Sequence, residues 1–207
     1  KKINHKAFKK ICTVFYWFTS EDQKYSHPIL SLEANKFFYT DINELAKSNP
    51  EILFVLRPKI INEIDKNLLH EHFSETKNVT YTVKSMNRNE SYILARESEV
   101  VIGVQTSIID ESIAYGKKSI LIDYTHNMRK ICTDTYPENW QFLIAKDKVE
   151  LIFLFQRFIE KDDVIERKFK DLQNQVSGNY DLSNPEIIPE TLEQCIRNSK
   201  EKAYQSL

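Results

Sequence analysis

The chain has 207 residues, 41% of them hydrophobic and 29% charged, with a formal net charge of −1. That is the balance of a soluble domain with a real core, and it gives no reason to expect a nucleic-acid partner. No apolar run approaches the roughly 20 residues of a membrane helix. The three cysteines, Cys12, Cys132 and Cys195, are too scattered for a disulfide frame or a metal pair, so they read as reduced cytoplasmic thiols.

In chain order, a basic start (KKINHKAFKK) leads into Ile11–Phe18, a first strand rich in β-branched and aromatic residues. This run is short and passes into charged sequence without a small-residue cleavage site, so it is not read as a signal peptide. Residues 19–32 are polar and read as a loop. Glu33–Lys47 is predicted helical, stopped by Ser48-Asn49-Pro50, because a proline disfavours helix at the residue before it. Ile52–Leu56 is a continuous apolar strand of the type buried on both faces. A helix over Ile60–Glu75 and a strand over Val79–Val83 follow.

The second half repeats the alternation. Glu90–Glu97 predicts a helix, Val100–Val104 a strand, and Ile108–Tyr115 a helix stopped by Gly116, one of only three glycines. Ser119–Asp123 is the next strand. Residues 124–139 read as a loop and Trp140–Ala145 as a last strand. Asp147–Glu160 and Val164–Val176 are predicted helices. Gly178–Asp181 reads as a turn and Glu190–Ala203 as a terminal helix. Strands alternating with helices predict an α/β, doubly wound parallel sheet. No GxGxxG or Walker pattern is present. Two sequons, at Asn78 and Asn89, match the glycosylation pattern.

In such sheets ligands gather beyond the carboxyl ends of the strands. That rule points to Thr19-Ser20, Arg57-Pro58-Lys59, Lys84–Arg88, Gln105-Thr106-Ser107 and Tyr124–Asn127. Thr106 and Ser107 stand at the start of a helix, where hydroxyls can cap free amides and the amides can hold an anion. Glu111 lies one helical turn further on the same face. A carboxylate there could accept hydrogen bonds from ribose hydroxyls. From spacing alone, Ser107 as a simple cap and Glu111 as a solvated helix residue is the commoner reading, because capped helices after strands are frequent. His70 and His72 are two apart on a helix and make a poor metal pair. Cys12 reads as core.

The stretch Tyr92–Asp123 resembles the donor-binding segment of GT-B glycosyltransferases, above all bacterial surface-polysaccharide and polyol-phosphate transferases. The parts that carry the likeness are Glu99, Val100-Val101-Ile102-Gly103, Thr106-Ser107, Glu111 and Gly116-Lys117. Lys118 stands where proline is usual and Glu99 where aspartate is usual. Leu56-Arg57-Pro58-Lys59 resembles the strand-end basic motif of the same enzymes, with Lys59 in place of a histidine.

The resemblance implies a Rossmann-like nucleotide-sugar-binding domain over residues 1–160, with a helical extension over 161–207 packed on it. It implies that Thr106 and Ser107 contact the donor diphosphate, Glu111 the ribose, and Arg57 the leaving group, with Lys59 as a further donor contact; His126, placed just after a strand, could touch the sugar or the acceptor, though a loop histidine is more often an ordinary surface residue. A fixed positive charge at Arg57 would stabilise the departing diphosphate without a metal. No cofactor is called for beyond a nucleotide-diphosphate sugar or polyol as substrate. The acceptor, a glycan or a lipid-linked saccharide, and an N-terminal domain or partner subunit are implied, with peripheral membrane association of the full enzyme. Sugar-nucleotide 2-epimerases share this fold and ribose glutamate, but Gln105-Thr106-Ser107-Ile108 lacks their glycine-rich phosphate loop. A degenerate, non-catalytic interaction module is the third alternative.

Overall fold

The computed structural model describes residues 8–16, 32–58, 63–81, 88–104, 106–123 and 136–177. The expected turn after Ser177, the terminal helix at 190–203 and most of the residues 19–32 and 124–139 loops lie outside them.

Two apolar runs set the centre of the sheet. β1 (Lys10–Tyr16) and β2 (Ile52–Pro58) are buried along almost their whole length, as strands covered on both faces must be. Around them run β3 (Val79–Tyr81), β4 (Val100–Gly103), β5 (Lys118–Ile122) and β6 (Ile144–Ala145). Among the described residues these six form one sheet in the order β3-β2-β1-β4-β5-β6, every pairing parallel. Parallel neighbours need crossovers, and helices supply them: α1 (Leu32–Ser48), α2 (Glu63–Phe73), α3 (Arg88–Glu97) and α4 (Ile108–Ala114). α5 (Lys148–Ile159) and α6 (Asp163–Ser177) follow β6. The chain is thus a doubly wound, Rossmann-like α/β fold. No described helix is long and apolar enough to cross a membrane.

The alternation of side chains along β1 sorts the helices into layers. Tyr16 meets the rings of Phe38 and Tyr39 on α1, at 5.2 and 5.8 Å. Phe54, in register with Cys12, stacks on Phe155 of α5. These even-numbered positions of β1 and their neighbours therefore face α1, α2 and α5. Thr13 points the other way, its hydroxyl 2.7 Å from that of Ser98 at the end of α3. α3, α4 and α6 cover that second face, with α6 lying along α4.

Local chemistry explains most element ends. Asn49 closes α1 by donating to the carbonyl of Leu45 at 2.8 Å. The Asn78 amide reaches the carbonyls of Ala46, Asn49 and Ile52 within 2.9 Å. Asn78 is buried, so that sequon is structural in this fold. Asp147 caps α5 by accepting from the amide of Glu150. Asp162 caps α6 through the amides of Val164 and Ile165, after Lys161 has taken a left-handed φ of 59°. The hydrogen bond from Arg157 and then the Ile165 amide hold the Asp162 carboxyl at about 2.

The last strand differs from expectation. Trp140–Ala145 was predicted to be extended, but Glu138–Leu143 forms a 3-10 helix and only Ile144–Ala145 pairs with β5. Trp140 stacks on Tyr136 at 4.8 Å, and its amide bonds back to Pro137. Aromatic packing over a proline-started turn outweighs the strand preference of the same residues.

Candidate functional site

β1 lies between β2 and β4, and the connections on its two sides leave on opposite faces. In open α/β sheets such a reversal marks the carboxyl ends of the two strands, here β1 and β4, as the place where a ligand crevice is expected. Three residues share one row across it, because Phe15 pairs with Arg57 of β2 and with Gly103 of β4. Two strand spacings separate Arg57 from Gly103, roughly 10 Å between backbones.

Arg57 was expected just after β2, but the pairing of Tyr16 with Pro58 makes it the penultimate residue of the strand. Its side chain points to the same face as Thr13 and Phe15 and is 7% exposed. Nη1 donates to the Pro58 carbonyl at 2.7 Å, curling the guanidinium over the strand end. Burial lowers its pKa from the usual arginine value, while the charges of Glu90 and Tyr16 raise it. Arginine starts from so high a value that it stays a cation.

Gly103 lets α4 sit directly on the end of β4. A Cβ there would lie 2.5 Å from Ile109 Cγ1 and 2.9 Å from Thr106 Cγ2. Gly103→Ala is therefore expected to cost about 1–3 kcal/mol by pushing α4 outward. A urea midpoint unchanged from wild type would show that α4 is not held by this contact.

Thr106 is half-buried and Ser107 exposed at the entry to α4. Ser107 does not cap the helix as expected. Its backbone is already helical (φ −61°, ψ −19°), and its side chain makes no capping bond. A cap residue needs extended backbone to turn its oxygen onto the following amides. Instead, the Ile109 amide bonds the Thr106 carbonyl in a tight turn. Glu111 is half-buried one turn further, its amide bonded to the Ser107 carbonyl, as the spacing required.

Two groups were missed. Asp110, beside Glu111, accepts a hydrogen bond from the Tyr136 hydroxyl at 3.1 Å. Burial raises its pKa, the Tyr136 bond lowers it, and the Glu111 charge raises it. Tyr136 lies across a long loop, so only the fold brings it near. Glu90, 5% exposed in the first turn of α3, was read only as the start of a helix. Lys59, His126 and the Lys84–Asn87 part of the segment expected after β3 lie outside the described residues. His70 is exposed, His72 packs on the Tyr39 ring, and the Cys12 thiol is pushed well up by burial.

No family model and no curated relative matches the sequence. Solved structures do. The wall teichoic acid polymerase TagF matches with a TM-score of 0.54 at 13% identity, over 94% of this chain and 43% of that one. A UDP-GlcNAc 2-epimerase from Neisseria meningitidis bound to UDP-GlcNAc matches with a TM-score of 0.52 at 16% identity, over 95% and 45%. The catalytic domain of cholesterol-α-glucosyltransferase from Helicobacter pylori matches at 0.53 and 12%, over 83% of this chain and all of that one. The chain spans less than half the length of the polymerase and the epimerase. At these identities the likeness is one of fold, and on that level the chain is a GT-B-like Rossmann domain.

Proposed function

We propose that this chain is the donor-binding domain of a metal-independent glycosyltransferase, taking a nucleotide-diphosphate sugar or polyol. The observation that carries this reading is the buried arginine in register with the strand end from which α4 departs. Arg57 offers a fixed cation at the crevice, where negative charge grows on a leaving diphosphate. Thr106 and Ser107 offer hydroxyls beside the first amides of α4, and Glu111 accepts from the ribose. Lys59 and His126 complete the donor contacts in this proposal. The acceptor, a glycan or lipid-linked saccharide of surface-polysaccharide synthesis, is supplied across a cleft by a second domain or a partner subunit. The whole enzyme works at the cytoplasmic side of a membrane.

The test is a thermal-shift screen against UDP, CDP, GDP, TDP and CMP, with and without Mg²⁺. A metal-independent rise with one nucleotide is expected, and it names the base. No rise with any of them counts against a donor site in this chain. With the base known, Glu111→Ala should weaken binding by about 1–3 kcal/mol. An unchanged affinity, measured by calorimetry, would remove Glu111 from the ribose.

A second reading, a sugar-nucleotide 2-epimerase, is favoured by the fold match to an epimerase holding UDP-GlcNAc. NMR of the chain incubated with UDP-GlcNAc separates the two. New signals from the 2-epimer would establish the epimerase and overturn the transferase reading.

A further inference from the structure

Glu90 is a buried acid that the donor-binding reading leaves without a role. Its position follows from the seam between α3 and β1. The hydroxyls of Thr13 and Ser98 both reach the Leu94 carbonyl, at 3.3 and 2.7 Å. α3 runs against the direction of β1, since it begins beyond the carboxyl end of β3 and ends before β4. One turn back from Leu94 is Glu90, a rise of about 6 Å. Two residues on from Thr13 is Phe15, a rise of about 6.6 Å. Glu90 is therefore level with Phe15, whose neighbour in β2 is Arg57. Both charged side chains are buried, at 5% and 7% exposure. A charge so buried requires a counter-charge close by. Burial lowers the Arg57 pKa, and the charge of Glu90 is the larger of the two influences that raise it.

We propose that Glu90 is the resident counter-anion of Arg57, and that a diphosphate entering the crevice competes with it for the guanidinium. The competition rests on the donor-site reading; the ion pair does not. Two anions then share one cation, so the diphosphate is held less tightly than Arg57 alone would hold it. Neutral parts of a ligand are untouched. Glu90 is a positioning residue in this scheme: it sets the affinity for phosphate through Arg57, and it eases departure of a nucleoside diphosphate product.

Inorganic pyrophosphate is the probe, since it carries neither base nor sugar. It is titrated calorimetrically into wild type, Glu90→Gln, Arg57→Gln and the double variant, and each protein is also melted without ligand. Glu90→Gln should bind pyrophosphate on the order of tenfold more tightly. That gain should vanish in the Arg57→Gln background. Glu90→Asp, which keeps the charge, should bind as wild type does. In the melts each single Gln variant should lose roughly 6–12 °C, and the double variant less than the sum. Coupled melts with unchanged or weaker pyrophosphate binding by Glu90→Gln would overturn the competition and leave the diphosphate site standing. A tenfold gain in Glu90→Asp as well would mean packing rather than charge, and would overturn it too. Additive melts would overturn the ion pair. Binding by none of the four proteins would overturn the donor-site reading, and the competition with it.

Discussion

Arg57→Gln is expected to weaken a nucleoside diphosphate by about 2–5 kcal/mol, roughly 30- to 5,000-fold. The corresponding nucleoside should move by less than about threefold, because the proposed donor site puts the ribose at Glu111 and only the diphosphate at Arg57. The loss is large because the guanidinium is already desolvated before the ligand arrives, at 7% exposure. The protein has met that cost in folding, and the incoming phosphate finds a cation with few competing waters. Calorimetry of both ligands against both proteins decides the matter. Equal losses for nucleoside and diphosphate would mean that Arg57 acts on the fold of the β2 end and not on phosphate.

The largest loss of stability should come from Phe155→Ala. Phe155 is fully buried and stacks on Phe54 at 5.6 Å and 29°. It is one of four buried residues of α5, with Leu151, Leu154 and Phe158, and its ring is the one that stacks on a strand side chain. Its truncation should cost about 3–5 kcal/mol, a fall of roughly 6–20 °C in melting temperature for a chain of this size. Phe153, on the same helix but 53% exposed, supplies the control. Phe153→Ala should stay within about 0.5 kcal/mol of wild type. Similar losses for both would mean that α5 does not dock by the face described.

The strands and helices were legible because their signals are local. Continuous apolar runs announced β1 and β2, and a glycine followed by lysines announced the end of α4. Gly116 takes the left-handed φ of 75° that such a stop requires. The spacing of Thr106, Ser107 and Glu111 was equally local, and the structure puts all three on the entry and first turn of α4. What sequence could not show depends on which strands become neighbours. The placing of Arg57 and Gly103 in one row follows from β1 pairing on both its sides, and no spacing along the chain encodes it. The same holds for Glu90 beside Arg57 and for Tyr136 on Asp110. Two errors were local as well. Ser107 has the right residue type for a cap but the wrong backbone angles. Trp140 has strand character but obeys the proline three residues before it.

α4 is only seven residues long, about 10 Å from end to end. One end meets the crevice at Thr106. The other ends at Gly116, where an added Cβ would come within 2.8 Å of the Gln173 side chain on α6. So short a helix links the strand end at Gly103 directly to α6, on which it packs. Loosening α6 should therefore disturb the packing of α4, and with it the donor site proposed at Thr106.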